Sequence, residues 1–243
     1  MINQTFSSYT VTNPTLEIND SLKNPSLPNL ISSRQGWLIF LASVFLVSVP
    51  VFIEAPLVRS FPILSVMITG FWVWFSIRLM SSPQTYLWGD ILFGFSWTWL
   101  TGAIYWGWLR YEPIWHIPVE ALGLPFAVWC LTKNWGKVGN WFYLGSLLGT
   151  VLTDIYFYLV DLMPYWRQIM RTAPEGASQI LRNALTQVQT PWGVGLAIIL
   201  ALILMTVGTA SLLNKQSHWY AFGGAVLSTI LVDSLFLLAA VLA

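Results

Sequence analysis

The chain has 243 residues, of which 56% are hydrophobic and only 9% charged, with a formal net charge of +1. A soluble domain carries roughly 25% charged residues, so the composition argues against a water-facing surface, and a near-neutral chain exerts no strong electrostatic pull on nucleic acid. Its fifteen tryptophans suit the headgroup level of a bilayer, where an amphipathic ring satisfies both phases.

Residues 1–33 are rich in Ser, Thr, Asn and Pro with no apolar period, which predicts a disordered polar tail. No short apolar segment with a small-residue cleavage site opens the chain, so no cleaved signal peptide is expected. Residues 34–243 form one transmembrane domain. Hydrophobic stretches near the length needed to span, about 20 residues, run over 36–55, 61–80, 87–109, 114–132, 139–162, 191–213 and 219–242. The first two are joined at Pro56 to Ser60, a tight hairpin. The fourth contains Pro118, Glu120, Gly123 and Pro125, which predicts a kinked or re-entrant segment.

Residues 163–190 are too polar to span. After Pro174, Ile180, Leu181, Ala184, Leu185 and Val188 fall at helical spacing, with Gln179, Arg182, Asn183 and Gln187 on the other face. This pattern predicts an amphipathic helix lying in the interface plane or packed on the loops. The fold class is therefore all-α: a polytopic transmembrane bundle of about seven (six to seven) spans plus an interfacial amphipathic helix. Lys23, Arg34, Arg78, Lys133, Lys137 and Lys215 fall on one side, and Arg59, Arg110, Arg167, Arg171 and Arg182 on the other. That balance gives no orientation by the positive-inside rule.

Gly145 to Phe157 aligns without gaps to Gly224 to Phe236, with Gly, Leu, Thr, Leu, Asp and Phe matching in place. The match suggests two helical hairpins in the same orientation, an arrangement found in transporters. It pairs Asp154 with Asp233.

Ionisable groups within a membrane are costly and mark candidate functional positions. Asp154, Asp233, Asp161 and Glu120 are candidates for an ion, proton or polar-core site. Asp154 and Asp233 are expected to be deep, pointing into the bundle near one polar site. The structural alternative is that they bond neighbouring helices through Thr150, Thr153, Ser228 or Thr229. Arg110, Glu112 and His116 form a candidate polar cluster at the membrane surface. Glu54 and Arg59 flank the first hairpin as an expected ion pair.

No metal site is expected, since Cys130 is the lone cysteine. His116 and His218 fall on opposite faces if the intervening helices span, so no haem shared by the two is expected. No HExxH, CxxC, Walker A or GxSxG pattern is present, which weighs against an enzyme of those classes. No cofactor is expected. The aromatic runs Phe71 to Phe75 and Phe95 to Trp108 could cradle a pigment or quinone, but such runs more often pack the core and the interface belt.

The stretch Leu87-Trp-Gly-Asp-Ile-Leu-Phe-Gly-Phe-Ser-Trp-Thr-Trp99, continued by Ile104 to Arg110, Ile117 to Phe126, Trp135 to Asn140, Asp154 to Asp161 and Gln187 to Gly193, resembles a family of small integral membrane proteins of unknown function. That family is found in cyanobacteria, with chloroplast relatives described as thylakoid membrane proteins. The resemblance covers roughly residues 36 to 243. It implies a thylakoid location, or a plasma membrane, with photosynthetic membrane complexes as partners besides the lipid bilayer. It brings no catalytic residue. The leading expectation is a non-catalytic assembly or regulatory factor linked to photosynthetic electron transport. The alternative is a transporter of a small solute, ion or proton using Asp154 and Asp233. A third class, a membrane enzyme acting on a lipid or isoprenoid, has no motif to support it.

Overall fold

The computed structural model describes residues 33–173 and 176–242, and these are all-helical, with no strand among them. The expected tail and Pro174 lie outside the described residues. Ten α-helices follow in chain order: α1 (Ser33–Ser60), α2 (Pro62–Met80), α3 (Tyr86–Ile104), α4 (His116–Glu120), α5 (Leu124–Thr132), α6 (Lys137–Leu159), α7 (Met163–Arg171), α8 (Ala177–Val188), α9 (Pro191–Leu212) and α10 (Ser217–Leu242).

Six helical stretches among the described residues are long and apolar enough to cross a membrane: 34–60, 62–80, 113–132, 137–159, 191–212 and 217–242. The predicted third span, α3, is not one of them. Its Asp90, Ser96, Thr101, Gly and Trp residues lower its apolarity, and most of those positions are buried against protein. A helix surrounded by other helices need not present a lipid-compatible surface. Contacts along its length still carry it across the bundle. Gly89 meets Ser76 and Met80 at one end, the Trp99 indole donates to Ser65 O at 2.9 Å, and Gly107 meets Val58 and Pro62 at the other end.

α1 continues helical through Pro50 and Pro56, and the turn into α2 is the single residue Phe61, not the expected Pro56–Ser60 connection. The fourth segment is interrupted. A π-helical turn (Tyr105–Leu109) ends α3, a 3-10 turn (Pro113–Trp115) opens the next stretch, and a second (Ala121–Gly123) separates α4 from α5. Pro118 and Pro125 each remove a backbone donor here.

Small residues set how closely the helices approach. Gly94 of α3 and Gly139 of α6 lie backbone to backbone, so a Cβ on either would overlap the facing main chain. Gly36 and Gly224 let α1 and α10 meet at Tyr220, Phe40 and Ser43, and Gly145 and Gly149 let α6 meet Phe222, Ala225 and Thr229 of α10. In lipid, where apolar burial no longer drives association, such close packing supplies the attraction. Because successive contacts rise together along both chains, α6 and α10 run parallel. Their spatial pairing, Gly149 with Thr229 and Thr153 with Asp233, stays within one position of the sequence alignment.

The predicted amphipathic helix after Pro174 is α8, and a further short helix, α7, precedes it. Ala184 and Val188 of α8 pack with Val160, Leu162 and Leu196 at the ends of α6 and α9, while Gln179, Arg182 and Asn183 are exposed. The apolar face thus closes one end of the bundle.

Candidate functional site

Ionisable side chains from three elements converge near the end of the bundle that α7 and α8 cover. His116 opens α4, directly after the 3-10 turn. Its Nδ1 donates to the Asp154 carboxylate of α6, 3.0 Å from Oδ1 and 3.1 Å from Oδ2. The imidazole stacks on the Tyr105 ring with centroids 4.3 Å apart. One turn further along α4, Glu120 Oε2 accepts from the Thr101 hydroxyl at 2.9 Å, and its own carbonyl accepts from the Tyr143 hydroxyl at 2.6 Å. Glu54 of α1 lies against Gly102, whose missing side chain leaves the carboxylate its space. Glu54 and Glu120 thus stand against adjacent residues of α3, Gly102 and Thr101, and Glu120 shares α4 with His116.

One buried polar atom at this site, Glu54 Oε1, has no hydrogen-bond partner. An unmatched polar group away from water is expensive, and a carboxylate far more so. The site also lies beside the π turn at Tyr105–Leu109, a distortion frequent at functional positions. Asp154 is five residues, about 7.5 Å of helical rise, from the end of α6 at Leu159. It is therefore nearer that end than its place in the apolar run suggests.

The remaining candidates separate. Asp233 is half-buried and accepts from the Thr153 hydroxyl at 2.9 Å, so it faces α6 through the residue next to Asp154. This is the interhelical hydrogen bond that the sequence offered as the structural role. Asp161 stands in the left-handed turn after α6, with φ 57°, and is exposed, away from the polar core.

The expected cluster of Arg110, Glu112 and His116 is split. Glu112 has extended backbone just before the 3-10 turn and points outward, while His116, one helical turn later, points in. Glu112 pairs instead with Arg167 of α7, at 2.6 Å from Nη2 and 3.0 Å from Nε to Oε1. That bonded guanidinium holds the Glu112 carboxyl below its usual value. Arg110 caps the carbonyls of Trp106 and Gly107 at the end of the π turn, and its own carbonyl accepts from the Trp166 indole. The expected Glu54–Arg59 ion pair does not form. With α1 helical through Pro56, positions five apart point about 140° away from each other, so Glu54 enters the core while Arg59 is exposed.

His116 and His218 engage α6 at Asp154 and at Trp141, respectively. These anchor points are thirteen residues apart, about 20 Å of rise, so one metal cannot take both imidazoles. No group of three or more His, Cys, Asp or Glu among the described residues is placed to hold a metal ion.

Asp90 is the residue that sequence reasoning missed. Its buried carboxylate accepts from Val138 N at 2.9 Å and Gly139 N at 3.0 Å, capping the start of α6 from another helix. The only signal was an acidic residue early in an apolar segment.

No curated protein and no solved structure matches the chain. A family model does match, over residues 43–241, and its description is Protein of unknown function (DUF3120). That match spans most of the helical bundle and every residue of the polar core, and the chain belongs to this family.

Proposed function

We propose that this integral membrane protein moves protons or a proton-coupled cation, using the polar core of Glu54, Glu120, His116 and Asp154. One observation carries the reading: these four groups gather beside a stretch where the helical ladder is broken, at the π turn and the 3-10 turns. Ionisable groups inside a membrane bundle are costly and mark ion or proton pathways, and interrupted helices are the usual setting for transported ions. In this reading Asp154 is a member of the core. Asp233 is its outlying neighbour, linked through Thr153, and Asp161 has no part in it.

The test is flux in liposomes of purified protein, with a pH-sensitive dye inside and an imposed proton gradient. Wild-type protein collapses the gradient, and Asp154→Asn and Glu120→Gln slow it about a hundredfold, the size of effect a positioned proton-transfer group contributes. Flux equal to that of protein-free vesicles, or an Asp154→Asn variant as fast as wild type, refutes the proposal.

A second reading is an assembly or regulatory factor for photosynthetic complexes in a thylakoid membrane. It is supported by the sequence resemblance and by exposed aromatic side chains at the α7–α8 end, among them Trp108, Trp115 and Trp192, which suit a protein partner as well as a headgroup layer. Recovery of a stoichiometric photosynthetic complex with the protein from mild-detergent membranes would favour this reading.

A further inference from the structure

We propose that Glu54 is the proton-exchanging carboxylate of this core, relaying its proton through Glu120 to the His116–Asp154 pair. The inference rests on the proton-transport reading and names the group that carries the ion.

Within the core, the other members have partners. Asp154 is bonded by His116, and Glu120 by Thr101. Glu54 is only 8% exposed, and its Oε1 has no partner. A second observation concerns its neighbour: Glu54 lies against Gly102 of α3, and the adjacent residue of that helix, Thr101, donates to Glu120. A carboxylate in such a position needs either a cation or a proton to remain there. The occupant assigned to Glu54 is the proton.

The elements packed against α1 bring few competing charges. α2 carries only Arg78, at its far end. α3 carries Tyr86 and Asp90 at its far end, followed by Tyr105 and Arg110 in and after the π turn. α10 carries His218 and Tyr220 at its far end and Asp233, which is bonded to Thr153. Glu120 of α4 is the charged group in the Glu54 field.

The relay balances. The Glu54 carboxyl gives its proton to the Glu120 carboxylate and becomes a carboxylate. Glu120 passes a proton to His116 Nε2, and His116 releases the proton on Nδ1 to Asp154. No electron moves and no bond other than O–H and N–H changes. Glu54 lies six residues, about 9 Å of rise, from the end of α1 at Ser60.

The experiment is pH-difference infrared spectroscopy on protein in lipid bilayers. Wild-type protein shows a protonated-carboxyl band that disappears as pH rises. E54Q lacks that component. An unchanged band in folded E54Q overturns the proposal. A hydrophobic carbodiimide, which reacts with protonated carboxyls, provides a test in the unmodified chain. Mass spectrometry should find Glu54 labelled at acid pH and spared at alkaline pH, and no label at Glu54 at either pH overturns the proposal. A Glu54 band and label without flux in liposomes would refute the transport reading while leaving the exchange site standing.

Discussion

His116 and Asp154, 38 positions apart, share a forked hydrogen bond from one imidazole nitrogen to both carboxylate oxygens. The bond ties the interrupted fourth segment to α6 close to the end of the bundle, with side-chain exposures of 18% and 10%.

Removing one partner should separate structure from chemistry. His116→Ala leaves a buried carboxylate without its donor, which costs about 3–5 kcal/mol when the charge stays uncompensated. Asp154→Asn keeps an acceptor oxygen for the imidazole and should cost about 1 kcal/mol, in the range of interhelical hydrogen bonds in membranes. Thermal unfolding in detergent measures both. Equal melting temperatures for the two variants would show that the pair does not anchor α4.

Asp90 should matter more for stability than its position in an apolar helix suggests. Asp90→Ala strips two buried N–H groups of their acceptor, at about 1–3 kcal/mol each, while Asp90→Asn retains one acceptor and falls between. Hydrogen exchange at Val138 and Gly139 should accelerate in the alanine variant. Unaltered exchange there would refute the capping role.

The glycines divide into two classes. Gly149→Val collides with Thr229 across the α6–α10 contact and should cost about 1–3 kcal/mol, the range for overpacking. Gly70→Ala and Gly195→Ala meet nothing within 4 Å and should melt at or slightly above the wild-type temperature. A Gly149→Val variant as stable as Gly70→Ala would remove the close-packing argument.

The Glu112–Arg167 pair sets a pH window for the docking of α7. Glu112 has a carboxyl lowered from 4.5 by Arg167, so the stabilisation is fully present above 4.5 and is lost as pH falls through the lowered value. The side chains are 40% and 41% exposed, so salt should weaken the pair as well. Hydrogen exchange of residues 163–171 should rise on acidification in wild type and be fast throughout in Glu112→Gln. Exchange in wild type that is flat with pH would overturn this.

Residues 176–188 should be reachable from one aqueous side only. With the buried Cys130 replaced by serine, single cysteines at Ser178 and Asn183 should react with an impermeant thiol reagent from the same side of sealed vesicles. Protection of both from either side would place α8 within the bilayer.

The sequence by itself determined the membrane class, the positions of six of the seven apolar stretches, the interruption of the fourth segment and the amphipathic α8, because each depends on local composition and helical period. It also aligned α6 with α10, since a Gly-spaced face is written into consecutive residues. Only the tertiary structure decided which carboxylates share a site. Glu54 and Arg59 are near in sequence but diverge because α1 stays helical past Pro56. Glu112 and His116 part because the chain is extended at one and helical at the other. His116 meets Asp154, and Asp90 caps α6, across 38 and 48 or more positions. Such pairings depend on how helices rotate about their axes and how closely glycines let them approach, which no single segment encodes.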